Sequence, residues 1–412
     1  MKKVFMVITL LIMAEGLLAC TLFWANRNNE ILCAKNMDWS NTQTRMLVLP
    51  TEDGVYGRVY FGIEGSWGFT NTSGMNDHGL WYAGASLSHR DDIKNTYNKP
   101  RVQGEIVEKI MRECATVDEA IAVYSRYWEP HWDGHTMIAD RFGNCVVVEY
   151  GEDDVVFLRN DPDYMIATNF YLIDSLNTRW TNCYRYEVAD LMLRDSTAIS
   201  YDLFRRIADA THAEGGGPTS LTTLHDLKKR KTRVFSMFNY DEYIDMDLAG
   251  QLAYGQHYVD LANYFNGIKR IAPLEDEELC SDNIELTWVG DGDDYVIRYG
   301  QDPELDTYEQ IEYHAEPEVQ TAGDWKVMII PFISVCLVIL RGKRIWILMI
   351  ISVSVFSSSC YRVEPAHYSQ REHKIILTDQ IPGDLYWKVL STGNDYNSET
   401  IIYQAKVVAD EE

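Results

Sequence analysis

The chain turns on Leu17-Leu18-Ala19-Cys20-Thr21, where an apolar leader ends in a small residue and runs straight into cysteine. Lys2 and Lys3 open the leader, Val4 to Met13 form its apolar run, and small residues precede the cut, the anatomy of an export signal over residues 1–19. The run is too short for a spanning helix, which needs about 20 apolar residues. Leu17 is a poorer match than alanine to the small-residue cleavage pattern. Removal of the leader after Ala19 makes Cys20 the first residue of the mature chain and puts a free α-amine beside its own thiol. An α-amine titrates near ~7.7–8.0, so a useful fraction is unprotonated at neutral pH and can take the thiol proton. One residue then holds nucleophile and base, the N-terminal form of nucleophile activation.

Working outward, Thr21–Ala25 and Ile31–Asp38 read as two strands around the Asn-rich turn Asn26–Glu30, a hairpin that brings Asp38 back towards Cys20. Further strands are expected at Met46–Pro50, Arg58–Gly62 and Gly79–Gly84, with a turn over Gly74–Gly79. Helices follow at Gln103–Cys114 and Val117–Tyr127, where Ile106, Ile110 and Met111, then Ala120, Ile121 and Tyr124, recur at helical spacing. Thr116 is the expected cap of the second. Strands return at Thr136–Ala139, Cys145–Glu149, Val155–Leu158 and Tyr164–Thr168, helices at Arg185–Leu193 and Ser200–Ala210, and a strand at Arg233–Asn239. Strands and helices in layered blocks predict an α+β fold of sheets covered by helices.

At 412 residues, 46% hydrophobic and 12% aromatic, the chain has the material for a large packed domain. A net charge of −25 without a basic stripe excludes a nucleic-acid partner, whose phosphates demand a positive footprint. The eight cysteines form no C-x-x-C pair and no dense framework, so neither a zinc site nor a disulfide scaffold is expected. Cys145, in an apolar run, reads as a buried strand residue. No His/Asp/Glu cluster has ligand spacing, so no metal or cofactor is expected.

The organisation expected is an export signal at 1–19, a catalytic domain at 20–300, an acidic linker at 301–326, a hydrophobic segment at 327–360 and a small module at 361–412. Val327–Leu340 and Ile345–Phe356 are apolar but interrupted by Arg341-Gly-Lys-Arg344, and neither half reaches spanning length. Residues 327–356 could associate with a membrane or form a core hairpin, and Arg341–Cys360 itself resembles a second export signal ending in cysteine. The protein is expected to be exported, to the periplasm or the extracellular space, with membrane association left open.

Beyond Cys20-Thr21, a set of landmarks follows in order: Lys35-Asn-Met-Asp-Trp39; Gly74-Met-Asn-Asp-His-Gly-Leu80 with Ala83-Gly84; His135-Thr-Met-Ile-Ala-Asp140; Val146-Val-Val-Glu149; and Ala167-Thr-Asn169. Together, from Cys20 to about residue 240 and more weakly to about 300, they resemble the choloylglycine hydrolase family. These are N-terminal-nucleophile amidases that include bile salt hydrolases and penicillin V acylases. The resemblance implies a four-layer αββα sandwich and hydrolysis of a linear amide C–N bond in a small N-acyl substrate. It implies Cys20 as nucleophile, Asp38 as the carboxylate that orients its amine and thiol, and Asn169 as a side-chain donor to the oxyanion. Arg233, in Thr232-Arg-Val-Phe-Ser-Met237, matches the setting of a family arginine that favours thiolate. Arg185 is the second choice, because it follows Asn169 closely and reads as helix. The chain departs from the family at Lys35, where many members have arginine, a change that keeps charge but loses the bidentate fork. It departs again at Ser86, where bile salt hydrolases have asparagine. Ser86 still serves if that position donates its backbone N–H.

Leu17-Leu-Ala-Cys20 also fits a bacterial lipobox, in which the cysteine sulfur carries diacylglycerol. That modification removes nucleophile and base together and leaves a lipid-anchored binding or scaffold protein on a degenerate hydrolase fold. A papain-like hydrolase using an internal cysteine lacks its local signature. Trp24, Trp39, Phe61, Trp67, Trp81 and Tyr82 offer aromatic surface for an apolar acyl or aryl group, or simply core. Bile salts, phenoxyacyl penicillins and long-chain N-acyl amides all remain open as substrates. Family members often form homo-oligomers, and nothing in the sequence sets a subunit count.

Overall fold

The hairpin after Cys20 closes through Asn28 and Asn29, which both take positive φ, 51° and 69°, the left-handed pair that a two-residue turn between twisted strands requires. In the computed structural model this turn joins β1 (Thr21–Arg27) to β2 (Glu30–Asp38). The structure describes residues 20–91, 93, 98–130, 133–159, 163–174, 183–214, 217–272, 278–280, 284–290, 294–314, 371–377, 380, 383–391 and 398–408. The expected export signal and the hydrophobic segment at 327–360 lie outside the described residues.

Strands β3 (Thr44–Leu49), β4 (Arg58–Gly65), β5 (Gly68–Asn76) and β6 (Leu80–Ser86) form an antiparallel meander. Helices α1 (Ile106–Glu113) and α2 (Val117–Arg126) come next, then β7 (Gly134–Asp140), β8 (Cys145–Tyr150), β9 (Val155–Arg159) and β10 (Tyr164–Ala167). After helices α3 (Tyr184–Asp195) and α4 (Tyr201–Ala210) the chain adds β11 (Thr219–Asp226), β12 (Lys231–Ser236) and β13 (Glu242–Asp247). Helix α5 (Leu248–Ala253) and β14 (His257–Asp260) follow. One sheet runs β14-β3-β4-β5-β6-β7-β8-β9, and a second begins β10-β1-β2-β11-β12-β13.

Alternation along the strands gives each sheet two apolar faces. Leu22 and Trp24 of β1, and Cys33 and Met37 of β2, pack against Phe61, Trp81, Ala83 and Met137 of the other sheet. Their alternates Phe23, Ala25, Leu32 and Ala34 lie under Ala189, Leu193, Phe204 and Ile207 of α3 and α4. On the far side, Tyr60, Leu80, Tyr82 and Ile138 lie under Ile106, Ile110, Val117 and Tyr124 of α1 and α2. The result is the four-layer αββα sandwich, with helices outside and two sheets face to face. The turn expected over Gly74–Gly79 is tighter than that stretch: Gly74 to Asn76 complete β5, and only Gly79 takes a positive φ, 76°.

The remaining strands are β15 (Lys269–Ala272), β16 (Glu278–Cys280), β17 (Ile284–Gly290), β18 (Asp294–Gly300), β19 (Glu309–His314), β20 (Arg371–Leu377), β21 (Gly383–Ser391), β22 (Glu399–Thr400) and β23 (Tyr403–Val408). They share one core around Trp288, Tyr295, Trp387 and Tyr403, and β22 pairs with β13 to extend the second sheet. Residue 300, expected as a domain edge, ends β18, which pairs with β21 from the expected C-terminal module. The expected acidic linker contributes β19, because Ile311 and Tyr313 alternate with its charged residues and pack on this core. Among the described residues no helix is long and apolar enough to cross a membrane.

Thr116 caps α2 as expected: its hydroxyl accepts the Glu119 N–H, and the Glu119 carboxylate accepts the Thr116 N–H at 3.1 Å. Thr116→Ala is expected to lower stability by about 1 kcal/mol in urea denaturation, with the slope of the transition unchanged.

Candidate active site

Cys20 stands at the head of β1 on the face that carries Leu22 and Trp24, buried between the sheets with 7% of its surface exposed. Its neighbours are set by strand pairing. The β1–β10 register pairs Leu22 with Ala167, and two further steps bring Cys20 opposite Asn169. On the other side β2 pairs with β11 so that Asp38 faces Thr219, whose hydroxyl donates to Asp38 Oδ1. The Asp38 backbone N–H donates to the Cys20 sulfur. Asp38 is fully buried, its Oδ2 makes no hydrogen bond, and Arg185 Nη1 lies 3.7 Å from it.

Arg185, in the first turn of α3, ties these pieces together. Its Nη1 donates to the Cys20 carbonyl at 2.7 Å and to Thr21 Oγ1 at 2.8 Å, and its Nη2 donates to Asn169 Oδ1 at 2.8 Å. With Oδ1 so held, the Asn169 amide nitrogen faces the opposite way and donates to the Ser86 carbonyl at 2.7 Å. A primary amide has two N–H groups, so one remains for another acceptor. Ser86, at the end of β6, therefore enters the site through its carbonyl oxygen.

Lys35, two residues along the same face of β2 from Met37, is 2% exposed and crosses between the sheets. Its Nζ donates to the carbonyls of Thr72 at 2.9 Å and Gly84 at 3.0 Å. Burial pushes its pKa down, against the pull of Cys20 and Asp38. Burial likewise pushes the Cys20 thiol up, and the Lys35 charge is the strongest influence opposing it. The Asp38 carboxyl is raised to about 7 by burial, with the Thr219 hydrogen bond and then the Arg185 and Lys35 charges pulling it down.

The structure thus gathers Cys20, Asp38, Asn169 and Ser86, and the arginine it places beside them is Arg185 rather than Arg233. Arg233 sits on the helix-facing side of β12 in a bidentate pair with Asp245, at 2.8 and 2.7 Å, under the ring of Tyr243. It touches none of the site residues. Arg185 occupies the place instead, because β10 lies beside β1 and a helix that starts soon after residue 169 stays next to the cysteine. Thr219 and Thr21 are site residues that sequence reasoning missed. The strand β11 was the missed signal, since its Thr-rich run Thr219-Ser-Leu-Thr-Thr223 has high strand propensity. Among the described residues no group of three or more His, Cys, Asp or Glu side chains could hold a metal ion.

An αββα sandwich with a cysteine heading an interior strand, beside an aspartate and an asparagine, has the form of the N-terminal-nucleophile hydrolase fold. The acyl-coenzyme A:6-aminopenicillanic acid acyl-transferase family matches residues 24–236, just over half of the chain, and the protein belongs to this family, within the choloylglycine hydrolase group. Among solved structures it is similar to penicillin V acylase from Agrobacterium tumefaciens, at 16% identity over 59% of this chain and 91% of that one, with a TM-score of 0.47. A variant of the conjugated bile acid hydrolase from Clostridium perfringens is similar at 15% identity over 58% of this chain and 96% of that one, also with a TM-score of 0.47. No curated protein matches the chain.

A carboxyl raised from 3.8 to about 7 stabilises the fold less as pH climbs, because the unfolded chain ionises first while the folded one stays neutral. In the chain with Cys20 still in peptide linkage, Asp38→Asn is therefore expected to gain stability relative to the parent between pH 4 and about 7, with no further gain above it. Urea midpoints at pH 4.5, 6 and 8 check the sign.

Proposed function

We propose that the mature chain, beginning at Cys20, hydrolyses linear amide C–N bonds of small N-acyl compounds through an acyl-thioester. The observation that carries this reading is the Arg185 fork, which holds the Cys20 carbonyl and Asn169 Oδ1 at once and so fixes nucleophile and oxyanion donor relative to each other. The Cys20 α-amine takes the thiol proton as sulfur attacks the amide carbonyl. The resulting oxyanion receives the second N–H of Asn169 and the field of Lys35 and Arg185. Collapse breaks the C–N bond, the amine leaves with the proton carried by the α-ammonium, and an acyl-thioester remains. Water then attacks with its proton passing to the same α-amine, and sulfur leaves to restore the thiol and release the acid.

Asp38 supports the base role. Its Oδ2 is buried without a hydrogen bond, and its own N–H contacts the Cys20 sulfur, so an α-ammonium released by leader removal meets a carboxylate oxygen ready to accept it. The burial of Cys20 weighs against the lipoprotein reading. A diacylglyceryl thioether on that sulfur would have to push two acyl chains into the packed space between the sheets. Leader removal also implies export, so we place the working enzyme outside the cytoplasm. The family's description as an acyltransferase favours one variation, in which an amine rather than water takes the acyl group from the thioester.

The test is a panel of N-acyl amides with released amine measured. Cys20→Ser is expected to reduce turnover to background, and a chain retaining residues 1–19 is expected to be inactive because its amine is locked in a peptide bond. Turnover by either refutes the mechanism. Asn169→Ala is expected to lower kcat by ~10²–10³, the value of one oxyanion donor. Arg185→Met should lower kcat strongly, whereas Arg233→Met should leave it within a few-fold of the parent.

A further inference from the structure

Two buried side chains among the sequence landmarks have no part in that mechanism. Glu149 of β8 and His135 of β7 are both fully buried, and His135 Nδ1 lies 3.0 Å from Glu149 Oε1. Both point into the space between the sheets, as do Met137 and Val147 two residues away on the same strands. The Glu149 carboxylate also accepts two backbone N–H groups, from Leu172 at 2.8 Å on Oε1 and from Ile173 at 3.0 Å on Oε2. Leu172 and Ile173 begin the helical turn three residues beyond Asn169. Amides at the start of a turn lack backbone partners, so a carboxylate there fixes both the position and the direction of the chain entering it.

The other end of the pair reaches the same place by a different route. His135 is paired in the sheet with Ala85, the residue before Ser86, and the Ser86 carbonyl is the acceptor of the Asn169 amide. Asn169 is thus held by its own side chain to Ser86 and Arg185, while the turn it leads into is held by Glu149. A carboxylate accepting the His135 ring requires the proton on Nδ1, which leaves the buried Nε2 without a hydrogen-bond partner. A buried polar group left in this state is costly, and such groups are retained where they set geometry.

On the reading of Cys20 as nucleophile and Asn169 as oxyanion donor, we propose that Glu149 and His135 form a positioning pair that holds the turn after Asn169 and thereby aims its free N–H at the reacting carbonyl. Neither residue touches the reacting atoms. Glu149 supplies one oxygen to each backbone N–H, and His135 fixes the rotation of the carboxylate by donating to the oxygen shared with Leu172.

The near-isosteric Glu149→Gln replaces one acceptor oxygen by a donor that faces a backbone N–H, so kcat for an N-acyl amide is expected to fall up to roughly 100-fold, the effect of a ~1 Å misplacement. KM should stay within about threefold of the parent. His135→Leu should behave alike, whereas His135→Asn, which keeps a donor near the place of Nδ1, should restore kcat to within a few-fold. The rate of Cys20 alkylation by iodoacetamide should be unchanged in all three, because nucleophile and amine are untouched. Parent-level kcat in both Glu149→Gln and His135→Leu overturns the proposal. So does a parallel loss of kcat and alkylation rate, which would mark a general structural role, or equal kcat in the Asn and Leu variants. If Glu149→Gln does not fold, the comparison of the two His135 variants decides. Absence of amide turnover in the parent, or turnover in Cys20→Ser, is a separate failure: it removes the nucleophile reading, and the positioning role with it, before any of these variants is compared.

Discussion

The guanidinium of Arg185 is the contact on which the site depends. Its hydrogen bonds of 2.7 and 2.8 Å join the start of β1, the end of β10 and the first turn of α3, and its charge lies 3.7 Å from Asp38. Arginine suits the task because its donors lie in one rigid plane, so fixing one acceptor fixes the direction of the next. Holding the Asn169 oxygen has a particular consequence. It removes the rotational ambiguity of the amide and turns its N–H groups away from the cation, one of them onto Ser86. A lysine at this position would keep the charge and lose that control.

The electrostatics follow from where the sheets put their charges. Lys35 and Arg185 are cations flanking Cys20, and Asp38 is the carboxylate among them, itself raised to about 7 by burial. The two cations oppose the burial that raises the Cys20 thiol without outweighing it, and their field suits a developing negative charge beside the sulfur. Lys35 holds its place because two carbonyls of the opposite sheet receive it. Replacing the family's usual arginine by lysine gives a compact point charge with three rotatable donors, two of which are used on the backbone. The cost of burying that ammonium is offset by its contacts, and its field is strongest where water is excluded.

What could be read from sequence divides along physical lines. The hairpin, the capped α2 and the alternating strands carry local signals, and Asp38 and Asn169 sit at strand ends whose positions those signals set. By sequence, Arg233 on a strand is a better match than Arg185, a helical arginine close behind Asn169. Proximity in sequence proved to be the reason Arg185 reaches the site, since β10 and β1 are neighbours and α3 packs against both. Thr219 was hidden because β11 has more hydroxyls than hydrophobes, and only its place between β2 and β12 makes it a core strand. The C-terminal strands were set apart in sequence by an acidic and then an apolar stretch, whereas their pairing is long-range and has no local mark.

Burial also sorts the aromatic residues near the landmarks into core rings and partly open ones. Of the aromatic residues near the landmarks, Trp24, Phe61 and Trp81 are completely buried between the sheets and Tyr82 lies beneath the outer helices, so these are core and leave no surface for a ligand. Trp67 is 69% exposed and bonded to Thr70 at the β4–β5 turn. Trp39, Phe170 and Tyr186 are different. Each is only partly buried against the intersheet core, and each follows directly on a site residue: Asp38, Asn169 and Arg185. Phe170 and Tyr186 meet edge to face with ring centroids 5.3 Å apart, an arrangement that holds two rings at a fixed angle. Partly buried aromatic carbon therefore lies on the side of the cysteine that carries Asn169 and Arg185.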